Sequence, residues 1–168
     1  MPIFNSNDLA IRLIKKSEYP MLEIFLYEAL HVPAGYANFP KETIYQPEIY
    51  LYIDNFGGPD DICFAAIKDE QIVGAAWSRI LCETGKKGFG NIDAHTPELA
   101  ISVLPQFRGG GIGTKLLNAL HTELANKKYA QISLSVQKTN IAYNLYKRLG
   151  YKTIREEETD YIMVKKIF

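Results

Sequence analysis

The chain has 168 residues, of which 47% are hydrophobic, and its 19 basic residues are balanced by 19 acidic ones. This length suffices for one domain with a buried core and is too short for two ordinary domains, so we expect a single domain over residues 1–168. The net charge of zero provides no global field that would favour nucleic acid or an acidic membrane surface. A small partner is therefore expected.

Cysteine usage and the opening residues exclude further classes. Cys63 and Cys82 stand without metal-ligand spacing around them, so neither a disulfide framework nor a zinc site is indicated. The opening residues MPIFNSNDLA lack the basic and apolar regions of a signal peptide, and no apolar run approaches the roughly 18 residues of a membrane span. We expect a cytoplasmic protein that holds no metal.

The first half of the chain predicts a strand, two helices and a hairpin. An alternating stretch predicts the strand, and an apolar helical pattern after Ser17 predicts the first helix. A second helix is expected after Pro40 or Pro47, ahead of the turn DNFGGPDD. Two apolar runs around four polar residues predict the hairpin. The predicted ranges are 9–15 for the strand, 17–30 for the first helix, and 62–67 and 72–81 for the hairpin.

The second half predicts a long loop followed by a βαβαβ arrangement. The stretch ETGKKGFGNIDAHTP (83–97) is polar and rich in glycine, and we expect it to be a mobile loop. Strands and helices then alternate to the end of the chain. The predicted strands cover 98–104, 130–136, a stretch from 151, and 161–167, and the predicted helices cover 111–127 and 140–149.

Four glycines within five positions stand between the strand at 98–104 and the next helix, in the segment QFRGGGIGTKLL. A glycine-rich turn at a helix N-terminus offers backbone N–H groups and the positive end of the helix dipole, which together suit a phosphate or pyrophosphate. A simple tight turn would usually need only one glycine. The segment therefore favours an anion site, to which Arg108 adds a cation.

Two common phosphate-binding motifs do not fit this spacing. A Walker loop needs Gly-Lys followed by Ser or Thr, whereas Gly113 is followed by Thr114 and then Lys115. A dinucleotide-binding turn needs G-x-G-x-x-G near the start of a parallel sheet, and Gly109, Gly111 and Gly113 do not have that spacing.

The segment closely resembles the acetyl-CoA-binding motif of the GNAT family of N-acetyltransferases: Arg or Gln, two residues, Gly, one residue, and Gly or Ala. Residues 108–113, RGGGIG, satisfy it in full. A second stretch, VQKTNIAYNLYKRLGYK, resembles the family's next signature: a strand end, then Asn, Ala and Tyr, then Gly with an aromatic residue. The two signatures stand in the family's order.

The resemblance implies a fold and an activity. The fold would be α+β, with a mixed, mostly antiparallel sheet of six to seven strands and about four flanking helices. The central strands would splay apart where acetyl-CoA enters. The activity would be acetyl transfer from acetyl-CoA to a primary amine of a small molecule or peptide. The same motifs would also fit a non-catalytic acyl-CoA-binding or sensing module, although the presence of both Asn140 and Tyr146 favours the enzyme.

The resemblance also assigns contacts with acetyl-CoA. Backbone groups of Ile101, Ser102 and Val103 would hydrogen-bond its pantetheine arm, and Asn140 would contact the same arm. Asn140 is equally a candidate N-cap of the following helix, with Thr139 as a rival, and the two roles can coexist. Backbone N–H groups would hold the pyrophosphate at Arg108, Gly109, Gly110, Gly111, Ile112, Gly113 and Thr114.

Tyr146 is the acid that the resemblance implies. The amine would attack the thioester carbonyl directly, a backbone N–H near Val103 would polarise that carbonyl, and the Tyr146 hydroxyl would protonate the leaving thiolate. Helical spacing alone also fits Tyr146 as a core aromatic residue whose hydroxyl finds a partner. Both interpretations stay open at this point.

The attacking amine is charged near pH 7 and needs a base. Family members often place a carboxylate six residues before the valine that corresponds to Val103, and that position is Pro97. Glu98 is the first choice, although strict alternation puts it on the face of Ala100 and Ser102. The alternatives are Glu83, Asp93 and His95.

No motif identifies the acceptor or the oligomeric state. The tyrosine-rich stretch 36–52 fits an aromatic wall for the acceptor or plain amphipathic packing. Trp77 fits a core residue better than a pocket lining. Exposed strand edges make a homodimer reasonable.

Overall fold

The computed structural model describes residues 8–83 and 86–168; residues 1–7 and 84–85, the latter within the predicted loop, lie outside the description. The described residues form nine strands and four α-helices. The strands are β1 (Ala10–Leu13), β2 (Ile62–Lys68), β3 (Gln71–Arg79), β4 (Cys82–Glu83), β5 (Lys86–Lys87), β6 (Glu98–Val103), β7 (Gln131–Gln137), β8 (Lys152–Glu156) and β9 (Asp160–Lys166). The helices are α1 (Leu22–Ala29), α2 (Pro47–Tyr50), α3 (Ile112–Asn126) and α4 (Ala142–Arg148).

Seven of these strands form one sheet in the order β1-β2-β3-β6-β7-β9-β8. Neighbouring strands are antiparallel except β6 and β7, which run parallel. The short strands β4 and β5 pair with each other outside this sheet. The predicted α+β fold, with a mixed and mostly antiparallel sheet and four flanking helices, is therefore confirmed.

The parallel strands β6 and β7 separate soon after they meet. Within the described residues their register contains one pair, Glu98 opposite Ser133, next to a 3.0 Å hydrogen bond from the Ser133 N–H to the Pro97 C=O. On its other side, β6 pairs with β3 from Glu98 to Val103. We call the resulting opening, from Glu98 towards Val103, the β6–β7 gap. It is the predicted splay of the central strands.

Hydrophobic cores lie on both faces of the sheet. On one face, the α3 face, helix α3 buries an apolar stripe together with α4, and each buried leucine contributes about 1.5–3 kcal/mol. On the other face, the α1 face, α1 and the segment around α2 cover fully buried Trp77 and Phe25. The α3 stripe consists of Ile112, Leu116, Leu117, Leu120 and Leu124.

The first helix departs from its predicted range, 17–30. It begins as a 3₁₀ helix over Lys16–Met21, and α1 starts only at Leu22. The cause is Pro20, which has no N–H for an α-helical hydrogen bond and whose ring opposes the preceding turn.

Two other connections differ in detail from the prediction. Both Pro40 and Pro47 start a helix, since a 3₁₀ helix over Lys41–Tyr45 precedes the short α2. The hairpin turn is tighter than four residues, because Asp69 and Glu70 both take positive φ and connect β2 to β3 directly. None of the helices over 8–83 and 86–168 has the length and apolarity to cross a membrane.

Candidate active site

The glycine turn leads from β6 into α3 at the open end of the gap. Gly109 and Gly111 have φ of +81° and +83°, in the left-handed region where glycine alone pays no steric penalty. Gly111 is the N-cap of α3. A Cβ at either position would have no neighbouring atom within 4 Å, so open space borders the turn.

Backbone donors of the turn face that space. The N–H groups of residues 109–114 donate to no backbone acceptor among the described residues. The first N–H groups of a helix lack intrahelical partners and carry the positive end of the helix dipole. This arrangement fits a pyrophosphate. Arg108 departs from the prediction, because its N–H already donates to the Pro105 C=O at 3.3 Å.

The Arg108 side chain ties the turn to its surroundings. Its Nε donates to the Val103 C=O at 2.8 Å, and its Nη2 lies 3.3 Å from Glu28 Oε2 on α1. The guanidinium is half exposed, so this ion pair contributes little to stability. The predicted cation is therefore present beside the turn, where its contacts link the end of β6 to α1.

The edge of β6 that faces the gap is set by strand alternation. The Leu104 N–H donates to a β3 carbonyl, so even-numbered residues of β6 direct their backbone groups to β3. Backbone groups of Ile101 and Val103 consequently face the gap. Ser102 does not, and its hydroxyl donates to the Phe25 C=O of α1 at 2.6 Å. Of the three residues predicted to contact acetyl-CoA, Ile101 and Val103 have backbone groups that face the gap, and Ser102 does not.

Asn140 lies at the start of α4, across the gap from β6. Its Oδ1 accepts from the Ala142 N–H at 2.9 Å, so it performs the capping role that the sequence allowed. Thr139, the rival cap, instead has its hydroxyl 2.9 Å from His31 Nε2, which joins the segment after α1 to the turn before α4. The Asn140 side-chain NH2 group donates to no acceptor among residues 8–83 and 86–168.

Tyr146 is buried in the core of the α3 face, with 8% of its surface exposed. Its ring meets the edge of Tyr151 at a centroid distance of 5.7 Å. Burial raises the pKa of Tyr146 to about 12, so the hydroxyl keeps its proton near neutral pH. The ring packs in the core, but the hydroxyl has no hydrogen-bond partner among the described residues, and a protonated hydroxyl is what an acid requires.

Glu98 lies at the closed end of the gap and is 2% exposed. Its Oε1 accepts hydrogen bonds from the Tyr52 hydroxyl and from the Gly90 N–H, the latter at 2.7 Å. Its Oε2 is buried and has no partner among the described residues. Burial raises the pKa of Glu98 to about 7, although the hydrogen bonds from Tyr52 and Gly90 oppose that shift.

Two glycines of the predicted loop make room for this carboxylate. A Cβ on Gly88 would lie 1.8 Å from Glu98 Oε2, and one on Gly90 would lie 2.6 Å from the backbone of Leu134. The Phe89 N–H between them donates to the Tyr52 hydroxyl at 2.9 Å. Residues 88–90, which we call the GFG segment, therefore pack on Glu98, whereas the sequence predicted a mobile loop throughout.

The other candidate bases lie outside this arrangement. Glu83 is exposed on β4, and His95 is exposed ahead of β6. Asp93 accepts N–H bonds from His95 and Thr96, and these hold the pKa of Asp93 below its usual range. Of the four candidates, Glu98 is the one that is buried beside the gap with a raised pKa.

Glu98 and Tyr146 lie on opposite faces of the sheet. The strand β6 is regular, so Glu98 shares the α1 face with Ala100 and Ser102, as strict alternation predicted. Tyr146 belongs to the α3 face.

Sequence comparison identifies the class of protein. The family model described as an acetyltransferase (GNAT) domain matches residues 59–153, more than half of the chain. The chain therefore belongs to the GNAT acetyltransferase family.

Two curated relatives match over parts of their length. The chain is 44% identical to the thialysine N-epsilon-acetyltransferase of Mus musculus over 59 residues, which are 34% of this chain and 35% of that protein. It is 32% identical to the N-alpha-acetyltransferase of Sulfurisphaera tokodaii over 115 residues, 63% of this chain and 65% of that protein. The chain thus spans about one third and just under two thirds of these relatives.

A solved structure shares the fold. The PaiA N-acetyltransferase of Thermoplasma acidophilum, in complex with coenzyme A, superposes with a TM-score of 0.65 at 19% identity, over 95% of this chain and 99% of that one. This similarity shows that the two proteins share a fold.

Proposed function

We propose that the protein is an N-acetyltransferase that moves an acetyl group from acetyl-CoA to a primary amine of a small molecule or a peptide. The observation that carries this proposal is the β6–β7 gap, which has a row of free backbone donors at its open end and a buried carboxylate of raised pKa at its closed end. Membership of the GNAT family supports it.

Acetyl-CoA fits the open end of the gap. Backbone N–H groups of residues 109–114 would hold its pyrophosphate. The backbone groups of Ile101 and the Val103 N–H would pair with its pantetheine arm, as an added strand would, while the Val103 C=O already accepts from Arg108 Nε. The coenzyme A complex of the Thermoplasma relative supports this assignment. When bound, acetyl-CoA supplies an activated acetyl group as a thioester.

Two residues would handle protons. Glu98, with a pKa of about 7, would take a proton from the acceptor amine, since its ionised form is well populated at neutral pH. Tyr146, with a pKa of about 12, would remain protonated and donate to the leaving thiolate. Because Glu98 must be ionised, we expect kcat/KM to fall as the pH drops below about 7.

The direct test is acetyl-CoA turnover against a panel of amines, followed by thiol release. The panel contains thialysine, amino acids, polyamines, aminoglycosides, and peptides with free N-termini or lysines, and a calorimetric titration measures acetyl-CoA binding alone. Turnover with one amine class supports the proposal and names the acceptor. Binding without turnover across the panel favours a sensing module, and no binding overturns the assignment of the gap.

Replacing Tyr146 with phenylalanine tests the acid. We expect Tyr146→Phe to lower kcat about 100-fold and to leave the Kd for acetyl-CoA within about twofold, because only the proton donor is lost. Tyr143→Phe is the matched control, since Tyr143 lies on the same helix and stacks on Tyr161 at 4.9 Å. Equal turnover of the two variants would remove the acid role from Tyr146.

A further inference from the structure

The short segment after α2 is held rigidly against β3, and it carries Tyr52. The Trp77 indole N–H donates to the Tyr52 C=O at 2.9 Å. Arg79 donates to the carbonyls on either side, that of Leu51 at 2.9 Å and that of Asp54 at 2.8 Å. Two side chains of β3 therefore fix the backbone of this segment, and with it the direction of the tyrosine ring.

The Tyr52 hydroxyl is in turn fixed at its far end. It accepts from the Phe89 N–H at 2.9 Å and donates to Glu98 Oε1, and its ring stacks on that of Phe89 at a centroid distance of 6.4 Å. Tyr52 is 9% exposed, so water does not compete strongly for these bonds. The Tyr52 hydroxyl therefore uses its one proton to donate to Glu98 Oε1.

The two oxygens of Glu98 are consequently unequal. Oε1 accepts two hydrogen bonds, from Tyr52 and Gly90, whereas Oε2 has none from any described residue. Ser133, opposite Glu98 on β7 and on the same face, also has a buried hydroxyl without a partner in the described chain. Buried polar atoms without partners are uncommon and mark places where a further polar group is handled.

We propose that Tyr52 is a positioning residue for the base: with the Gly90 N–H it engages Oε1 of Glu98 and leaves Oε2 as the atom that accepts the proton. The inference rests on the proposed function. In the step, an N–H bond of the acceptor ammonium breaks, its electron pair stays on nitrogen, and an O–H bond forms at Oε2, directly or through one water. The Ser133 hydroxyl, opposite Glu98 on β7 and without a partner among the described residues, would hydrogen-bond the group that delivers the proton.

Other charged groups around Glu98 are engaged or exposed. Arg79 lies directly opposite on β3, but its guanidinium is paired with Asp61 at 3.0 Å. Lys87, which precedes the GFG segment, is exposed, and Asp93 ahead of β6 is bonded to its own turn. The hydrogen bonds at Oε1 are therefore the interactions that favour the ionised carboxylate, against the burial that opposes it.

The test is the pH profile of kcat/KM for Tyr52→Phe, which removes the hydroxyl and keeps the ring. Loss of a hydrogen bond to a charged oxygen should move the acid limb upward by about one pH unit. At pH 7 this corresponds to a several-fold loss of kcat/KM, which should be recovered near pH 9. The matched control is Tyr50→Phe, because Tyr50 lies two residues away and donates to Glu23 Oε1 at 3.2 Å instead.

A Glu98→Gln variant and a direct titration separate the possible failures. The acid limb should vanish in Glu98→Gln, and a ¹³C NMR titration of the Glu98 carboxyl should show the same upward shift in Tyr52→Phe without any turnover. If Glu98→Gln loses the limb while neither the limb nor the carboxyl titration moves in Tyr52→Phe, the positioning role is wrong and the proposed base stands. If the limb persists in Glu98→Gln, the base assignment fails, and the role of Tyr52 fails with it.

Discussion

The two ends of the β6–β7 gap both contain clustered glycines, and they use them in different ways. At the open end, Gly109 and Gly111 have positive φ and no atom within 4 Å of a Cβ position, so they shape a turn that exposes N–H groups. At the closed end, a Cβ on Gly88 or Gly90 would collide with Glu98 or with β7. The first pair borders open space, and the second makes space for a buried carboxylate.

In the proposed function, acetyl-CoA binding and proton transfer belong to opposite ends of one gap. The open end offers fixed backbone dipoles, which stabilise an anion without titrating. The closed end holds one carboxylate whose burial raises its pKa into the neutral range. Changes at the open end should therefore alter affinity for acetyl-CoA, and changes at the closed end should alter the pH dependence of the rate and the stability.

Gly111→Val should have the largest effect, because it disrupts the glycine turn at the open end of the gap. A β-branched residue at φ +83° is strained, so the turn would rearrange and several N–H groups would lose their alignment. Because each bond to a charged group is worth about 1.5–3 kcal/mol, we expect the Kd for acetyl-CoA to rise about 100-fold or more. Isothermal titration calorimetry measures this change.

Gly110→Ala serves as its neighbouring control. Gly110 lacks a positive φ, and its Cβ would lie 4.0 Å from the Phe107 C=O, so alanine fits without strain. Its effect on the Kd should stay within a few-fold. Wild-type affinity in Gly111→Val would show that the turn does not hold the pyrophosphate.

Gly88→Ala should perturb the closed end of the gap, with a smaller effect than that of Gly111→Val on the open end. The added methyl group would lie 1.8 Å from Glu98 Oε2, so the carboxylate would have to shift against its bonds to Tyr52 and Gly90. We expect the free energy of unfolding to fall by about 1–3 kcal/mol and kcat to fall as well, with the Kd for acetyl-CoA unchanged. Denaturant unfolding and calorimetry measure the two quantities.

Gly58→Ala provides the comparison for that loss of stability. Its Cβ would lie 3.4 Å from the Asp61 side chain, an ordinary contact, in the turn ahead of β2. We expect only a small change in its free energy of unfolding. Equal losses in the two variants would mean that the space beside Glu98 is not what Gly88 supplies.

How well the sequence predicts each end of the gap depends on how far apart in the sequence the interacting residues lie. The open end is local: strand, glycines and helix follow one another within residues 98–127, so the sequence pattern alone predicts the turn with its exposed N–H groups. The closed end joins Tyr52, Gly90 and Glu98, which are distant in the sequence, and no local pattern signals those contacts. The sequence marks Tyr52 only as part of the tyrosine-rich stretch 36–52 and the GFG segment only as part of the loop 83–97.

Within the strands, periodicity was a better guide than motif boundaries. Alternation predicted that Glu98 faces the side of Ala100 and Ser102, and the regular register of β6 bears this out. The same alternation, once the pairing with β3 is known, excludes the backbone of Ser102 from the gap. That pairing is a long-range property, so the sequence assigned three consecutive residues where two face the gap.

Variants of Asn140 should have the smallest effects. They separate a structural role from a binding role, because Asn140 is both the cap of α4 and a candidate contact for acetyl-CoA. Asn140→Ala should cost about 1 kcal/mol in the free energy of unfolding, since the Ala142 N–H loses its acceptor. Asn140→Asp retains that acceptor and should keep the stability. If the side-chain amide donates to the pantetheine arm, both variants should bind acetyl-CoA about 3- to 10-fold more weakly. Wild-type affinity in Asn140→Asp, measured beside its thermal unfolding, would leave Asn140 with the capping role alone and would place the ligand contacts of the open end entirely on the backbone.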